Sequence, residues 1–224
     1  MISGLQKILA IQVIAIVVSA CGGGGGGGGG TVVPPPPPPV QEFSMSALKS
    51  ANSGTVYVAQ LSGSDSLGGQ WTGSLSITNR SQTMVDGVLA TPQETLFSII
   101  ISGVEISAGA ITYIDGSGYT LNTVLEDGSI CTPAFLYQLP DNIKVGDSGM
   151  PPTETCTNNV VIESSWIAEG AGNGNINYVV TRSISADKEI VEFWTLNVAG
   201  NFLAYRRVET GVGPDRATLT LTSN

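Results

Sequence analysis

The groups in this chain that could do chemistry are carboxylates, hydroxyls, three cysteines and a few arginines, because none of its 224 residues is a histidine. Without an imidazole there is no Ser-His-Asp triad and no His-ligated zinc or iron site. Carboxylates can still work in pairs, as in glycoside hydrolysis, where two of them flank the scissile bond. Glu163 with Glu169 and Glu189 with Glu192 are the candidates. Neither pair has the two-residue spacing that sets neighbours side by side on one strand face, so neither rises above surface charge and no catalytic residue is assigned. Between residues 81 and 181 acidic side chains face a single base, Lys144. Calcium at Asp115-Gly116-Ser117-Gly118 or Glu126-Asp127 is conceivable, but no EF-hand or glycine-aspartate repeat is present. Solvated turn carboxylates are the expectation, with no metal and no cofactor. Trp71, Trp166 and Trp194 could stack sugars, yet Trp71 alternates with Leu75 and Ile77, and Trp166 with Val160 and Ile162, as core residues do. Arg207, in the only adjacent basic pair, is expected on the Trp194 face as a cation–π partner or the rim of a pocket. Arg207 and Trp194 are therefore the candidate ligand-binding residues.

Positioning these groups falls to strands. Past residue 54 no stretch carries a helical stripe over eleven or more residues, whereas two-residue alternation and turn dipeptides recur. Strands are expected at 55–61, 70–78, 83–90, 95–102, 110–114, 119–125, 160–168, 175–185, 189–198, 202–209 and 217–222. A short helix fits 42–51, where Phe43, Ala47, Leu48 and Ala51 share a face. Asp86-Gly87, Asp115 to Gly118 and Asp127-Gly128 suit tight hairpins. If Gly200-Asn201 is a two-residue loop, Leu196 faces Tyr205 and Trp194 faces Arg207. One face of that hairpin then gathers Trp194, Leu196, Val198, Leu203 and Tyr205. In the preceding strand Ile176, Tyr178, Val180 and Ile184 share a side, interrupted by Arg182. The fold class expected is all-β: a single antiparallel meander forming an open barrel or a sandwich.

Composition bounds the partners. The chain is 42% hydrophobic and only 12% charged, with 9 Lys+Arg against 18 Asp+Glu for a net charge of -9. That balance gives no electrostatic reason to bind nucleic acid. At the N-terminus Lys7 precedes an apolar run over 8–18 that ends in Ser19 and Ala20, the layout of a secretory signal. As a helix, 8–20 would be roughly 20 Å long, short of the about 30 Å hydrocarbon core of a bilayer. Val18-Ser19-Ala20-Cys21 resembles the lipobox of bacterial lipoproteins. The resemblance implies cleavage before Cys21, a diacylglyceryl group on its sulfur and acylation of the new amine. Two or three chains would anchor stably where one binds marginally. Gly22 rather than aspartate after the cysteine implies, by the enterobacterial rule, the outer membrane.

Nine consecutive glycines (22–30) and six consecutive prolines (34–39) follow. Neither run can pack a core. The first is expected as a coil spanning about 15 to 18 Å and the second as a polyproline rod of roughly 19 Å. The organisation expected is thus a signal peptide over 1–20, the lipidated Cys21 with a disordered tether over 21–40, and an all-β domain over 41–224. In an exported protein the even pair Cys131 and Cys156 suggests a disulfide, closing a loop of about 26 residues and contributing about 3 to 4 kcal/mol.

Two short motifs imitate hydrolases. Gly146-Asp147-Ser148-Gly149 resembles the nucleophile segment of chymotrypsin-like proteases, but Met150 replaces the next glycine and no histidine exists. Asp65-Ser66-Leu67 resembles part of the GDSL esterase motif, with Ser64 in place of its first glycine. Both are expected to be turns. As a whole the chain resembles uncharacterised β-rich lipoproteins of Gram-negative bacteria, on the segments Asp65-Ser66-Leu67-Gly68 and Lys144-Val145-Gly146-Asp147, and that resemblance supplies no activity. The function expected is a lipid-anchored, non-enzymatic β domain for binding or envelope interaction, with an envelope protein or an apolar ligand as its partner. A carrier of an apolar ligand in a curled sheet is the alternative, and a carboxylate-based hydrolase of envelope glycans a more distant one.

Overall fold

The computed structural model describes residues 39–49, 54–101, 104–185, 188–212 and 217–223. The expected leader, Cys21 and the tether up to residue 38 lie outside the described residues. In chain order the elements are β1 (Phe43–Ser44), α1 (Ser46–Lys49), β2 (Gly54–Asp65), β3 (Gln70–Asn79), β4 (Thr83–Val85), β5 (Val88–Ile101), β6 (Val104–Asp115), β7 (Thr120–Leu125) and β8 (Ile130–Pro133). Then come β9 (Asn142–Ile143), β10 (Ser148–Gly149), β11 (Glu154–Cys156), β12 (Val161–Gly172), β13 (Asn175–Ser185), β14 (Lys188–Leu196), β15 (Phe202–Val212) and β16 (Ala217–Ser223).

The all-β expectation holds, and of the two architectures the chain adopts the barrel. Among the described residues the ring runs β2-β3-β5-β6-β7-β8-β11-β12-β13-β14-β15-β16 and returns to β2, every neighbour antiparallel. The expected strand 83–90 is instead a hairpin. Asp86 (φ 48°) and Gly87 (φ 83°) supply the two left-handed residues of a tight turn, and β5 then continues unbroken to Ile101. Curling the sheet requires close backbone approach on neighbouring strands. A Cβ at Gly63 would run into the Thr220 carbonyl oxygen, and one at Gly73 into that of Ser98.

The wall is thinnest between β7 and β12, where β8 and β11 pair over three residues and β11 meets β12 over two. There Cys131 and Cys156 stand directly opposite each other and form the expected disulfide, buried on the inner face. The segment 134–153 fills the rest of the seam. It bridges to the β6–β7 turn through Tyr119 and Gln138, pairs β10 with β12, and brings β9 against β1.

That last pairing makes a plug. Phe43, Met45 and Ile143 are all buried in the core, with Leu48 of the single helical turn packed against it. The Ser44 amide donates to Val198 and the Met45 amide to Asp141, while Gln41 donates to Gly174 on the β12–β13 turn. Of the expected helix over 42–51, the described residues are helical only at Ser46–Lys49, because Phe43 enters as a strand instead. The barrel thus has an end plugged by its own N-terminal segment, and an opposite end formed by the β2–β3, β7–β8 and β11–β12 turns.

Candidate functional site

Alternation along three consecutive strands decides what faces inward. On β13 the inward series is Ile176, Tyr178, Val180, Arg182; on β14 it is Leu196, Trp194, Glu192, Ile190; on β15 it is Tyr205, Arg207, Glu209. The series begins apolar near the plug and becomes charged towards the opposite end.

The plugged half is aromatic and dry. Trp194, 6% exposed, lies 4.4 Å from Tyr205 and 5.2 Å from Phe202 between ring centroids, with Tyr57 edge-on at 6.0 Å. Trp166 packs on Tyr178 at 5.6 Å and donates its indole N–H to the Tyr137 hydroxyl. Trp71 is also buried, but towards the opposite end beside the β2–β3 turn, its indole N–H donating to Asp65. The three tryptophans are core residues, as their alternation implied.

The other half holds an ionic ladder. Glu192, with a side chain 9% exposed, receives Arg182 on one carboxylate oxygen and, on the other, the Tyr205 hydroxyl at 2.7 Å and Arg207 at 3.5 Å. Arg207 also grips Glu209 through Nε (3.1 Å) and Nη2 (2.6 Å), and Lys188 reaches the second Glu209 oxygen at 2.9 Å. Burial alone would raise the Glu192 pKa, but Arg182 and Arg207 with the Tyr205 hydrogen bond outweigh it and hold the carboxyl below its ordinary value. Glu209 behaves alike: burial raises it, and Arg207 with Lys188 prevails. Burial, reinforced by the Glu192 charge, pushes the Tyr205 hydroxyl well up, so it remains a donor.

Two features mark this half as open. Arg182 keeps 39% of its side chain accessible, and among the described residues only its Nη1 has a hydrogen-bond acceptor. Across the barrel Ala108, whose register partner Phe97 is in the core, is nevertheless exposed. Ala108 lies four residues below the start of β6, roughly 13 Å at about 3.3 Å per residue. β7 ends at Leu125 opposite Ala110, so Ala108 is exposed where the rim is unpaired, and Ala110 and Leu125 one step further in are half-buried. Glu154 faces the lumen from β11; burial raises its pKa, and the Arg182 charge opposes that only in part. A separate furrow of about 320 Å³ lies over β2, β3 and β5, where Gln60, Thr72, Ser74, Ser98 and Glu105 converge above Gly73.

Arg207 lies on the inward face it shares with Trp194, as expected, but not directly opposite it: Arg207 stands opposite Glu192 with its guanidinium 5.0 Å from the centre of the Phe97 ring, while Trp194 stands opposite Tyr205. The hairpin loop is longer than two residues: Asn197 accepts the Asn201 amide on its side chain and the Gly200 amide on its carbonyl. A bulge beyond Thr195 then aligns Leu196 with Phe202. The same bulge turns Leu203 outward, and Val198 is exposed on the loop rather than on a shared apolar face. Of the carboxylate pairs, Glu163 and Glu169 are both exposed, and Glu189 is exposed while Glu192 is buried.

The esterase-like segment is a turn, and the protease-like one is a turn at Gly146-Asp147 leading into β10. Asp147 accepts the Lys144 amide, and Asp65 accepts the Leu67 and Gly69 amides. Asp115 caps its own turn by accepting the Ser117 and Tyr119 amides. Among the described residues no three acidic or cysteine side chains are grouped to hold a metal ion. Alternation singled out Arg182 only as a break in an apolar face. The overlooked signal was that Arg182, Glu192, Arg207 and Glu209 all fall in the apolar phase of adjacent strands. The chain matches no family model, no curated protein and no solved structure.

Proposed function

We propose that this chain is a lipid-anchored, non-enzymatic binding module of the bacterial envelope, lipidated at Cys21 and held off the membrane by the glycine and proline runs. The observation that carries the binding reading is the solvent-accessible half of the lumen, whose Glu192 and Glu209 are held as ion-pair acceptors rather than left as free acids. A carboxylate committed to one or two guanidinium groups is poorly placed to shuttle a proton, which favours binding over hydrolysis of glycans. Residues 41–45 meet the barrel at its plugged end, opposite the accessible mouth. The lipobox resemblance and the outer-membrane expectation from Gly22 supply the location.

The test is radiolabelled palmitate incorporation into the full chain expressed in a Gram-negative host. Label should enter the native protein, disappear in Cys21→Ala, and be accompanied by an uncut precursor when globomycin is present. Label that is absent, or that persists in Cys21→Ala, overturns the anchor.

A further inference from the structure

We infer that the accessible half of the lumen binds a small organic carboxylate, its charged group on Arg182 and its hydrocarbon body against the facing wall of β6 and β7. Arginine presents its donors as planar forks that match carboxylate oxygens in pairs. In this lumen Arg207 closes Nε and Nη2 on one oxygen of Glu209, whereas Arg182 uses Nη1 alone and, among the described residues, leaves Nε and Nη2 without an acceptor. The ladder comprises Arg182, Arg207 and Lys188 against Glu192 and Glu209, an excess of one positive charge inside a chain of net charge -9. Glu154, the other acid facing this space, has its pKa raised by burial, which the Arg182 charge opposes in part.

The facing wall supplies the other half of the recognition. Ala108 and Ala110 share the inward face with Leu125, which stands opposite Ala110, and none of the three is buried. Small side chains leave room, and methyl and isobutyl groups offer no hydrogen bonds, so an apolar body gains by displacing solvent there. Ser164 stands directly opposite Arg182 on β12. A ligand with one planar anionic end and one apolar end satisfies both walls at once.

This inference rests on the binding reading above and specifies its ligand class. The test uses the full chain in phospholipid nanodiscs, with octanoate titrated by calorimetry against empty nanodiscs, and octylammonium and inorganic phosphate run alongside. Octanoate should bind saturably with one site per chain, while octylammonium and phosphate at equal concentration should neither bind there nor displace it. Arg182→Lys keeps the charge opposite Glu192 but loses the fork, and should weaken octanoate at least tenfold. Ala108→Phe narrows the lumen from the opposite wall, beside the Phe97 ring, and should do the same, so the inference stays testable if either variant folds poorly. Absence of saturable octanoate binding, octanoate affinity unchanged in both folded variants, or displacement by phosphate at equal concentration overturns it. A chain that is palmitoylated at Cys21 yet ignores octanoate would keep the anchored module and lose this ligand.

Discussion

Glu192→Gln is the perturbation that reads the ladder most directly. The substitution keeps the shape of the side chain and removes the charge shared by Arg182, Arg207 and the Tyr205 hydroxyl. Breaking a buried ion pair from one side costs about 3 to 5 kcal/mol, because the partner stays buried without compensation. That figure must be reduced here. Arg182 is 39% accessible, so solvent takes up part of its charge, and Arg207 retains Glu209. Tyr205 is fully buried and keeps only a neutral acceptor, which costs on the order of 1 kcal/mol. The expected loss is about 2 to 3 kcal/mol, equivalent to a fall in Tm of roughly 4 to 12 °C for a domain of this size. Urea unfolding followed by tryptophan fluorescence reads it, since all three tryptophans are core residues, and the midpoint should fall at unchanged slope. In a cycle with Arg182→Met, the double variant should lose less than the sum of the singles by at least about 1 kcal/mol. A Glu192→Gln midpoint within about 0.5 kcal/mol of the parent, the range of ordinary surface changes, would refute the ladder as a structural element.

Reduction of the Cys131–Cys156 disulfide should lower stability by about 3 to 4 kcal/mol. Because β8 and β11 hold the seam by few pairs, hydrogen exchange should rise first in those strands, and uniform exchange across the barrel would contradict this. Gly63→Ala drives a methyl group into the Thr220 carbonyl and should destabilise the barrel by about 2 to 4 kcal/mol in the same urea assay, whereas Gly68→Ala, with open space around it, should cost only the backbone strain of its positive φ, about 1 to 2 kcal/mol. Stability should be flat from about pH 6 to pH 9 in a chain without histidine. Glu192 and Glu209 have folded pKa values below their unfolded ones, so their contribution is present above about pH 4.5 and is lost as pH falls through the lowered values. Glu154 is raised and works oppositely, its contribution present below about pH 4.5 and lost as pH rises past it. Urea midpoints across pH 2 to 9 check the net fall on the acid side, and a midpoint rising below pH 4 would reverse the assigned signs.

Alternation made the long strands legible because each buries one face. Residues 175–185 set Ile176, Tyr178 and Val180 on one face against Asn175, Asn177 and Thr181 on the other, an alternation broken at Val179, and β13 occupies that span. The failures lie where local signals compete. Asp86-Gly87 was read as a turn and also placed inside a strand; the turn prevails because both residues take positive φ, and the apolar run from Val88 belongs to β5. β8 and β11 are too short for any period to show, and what holds them is a disulfide whose partners lie 25 residues apart. The β14–β15 register depended on an asparagine side chain closing its own loop, which a Gly-Asn dipeptide does not announce.

The ladder escaped notice for a related reason. A charged residue in an apolar phase reads, one strand at a time, as a flaw in the pattern: Arg182 breaks β13, Glu192 breaks β14, Arg207 and Glu209 break β15. Only pairing puts the breaks side by side, and then opposite charges on adjacent strands satisfy one another at the level where the aromatic filling ends. Burying unpaired charges would be ruinous, so four charged residues in the core phase of three consecutive strands imply that their strands are neighbours with a particular register. Read that way, the breaks in β13, β14 and β15 predict the β13-β14-β15 order. They also predict a polar half of the lumen and the level at which the apolar core gives way to solvent.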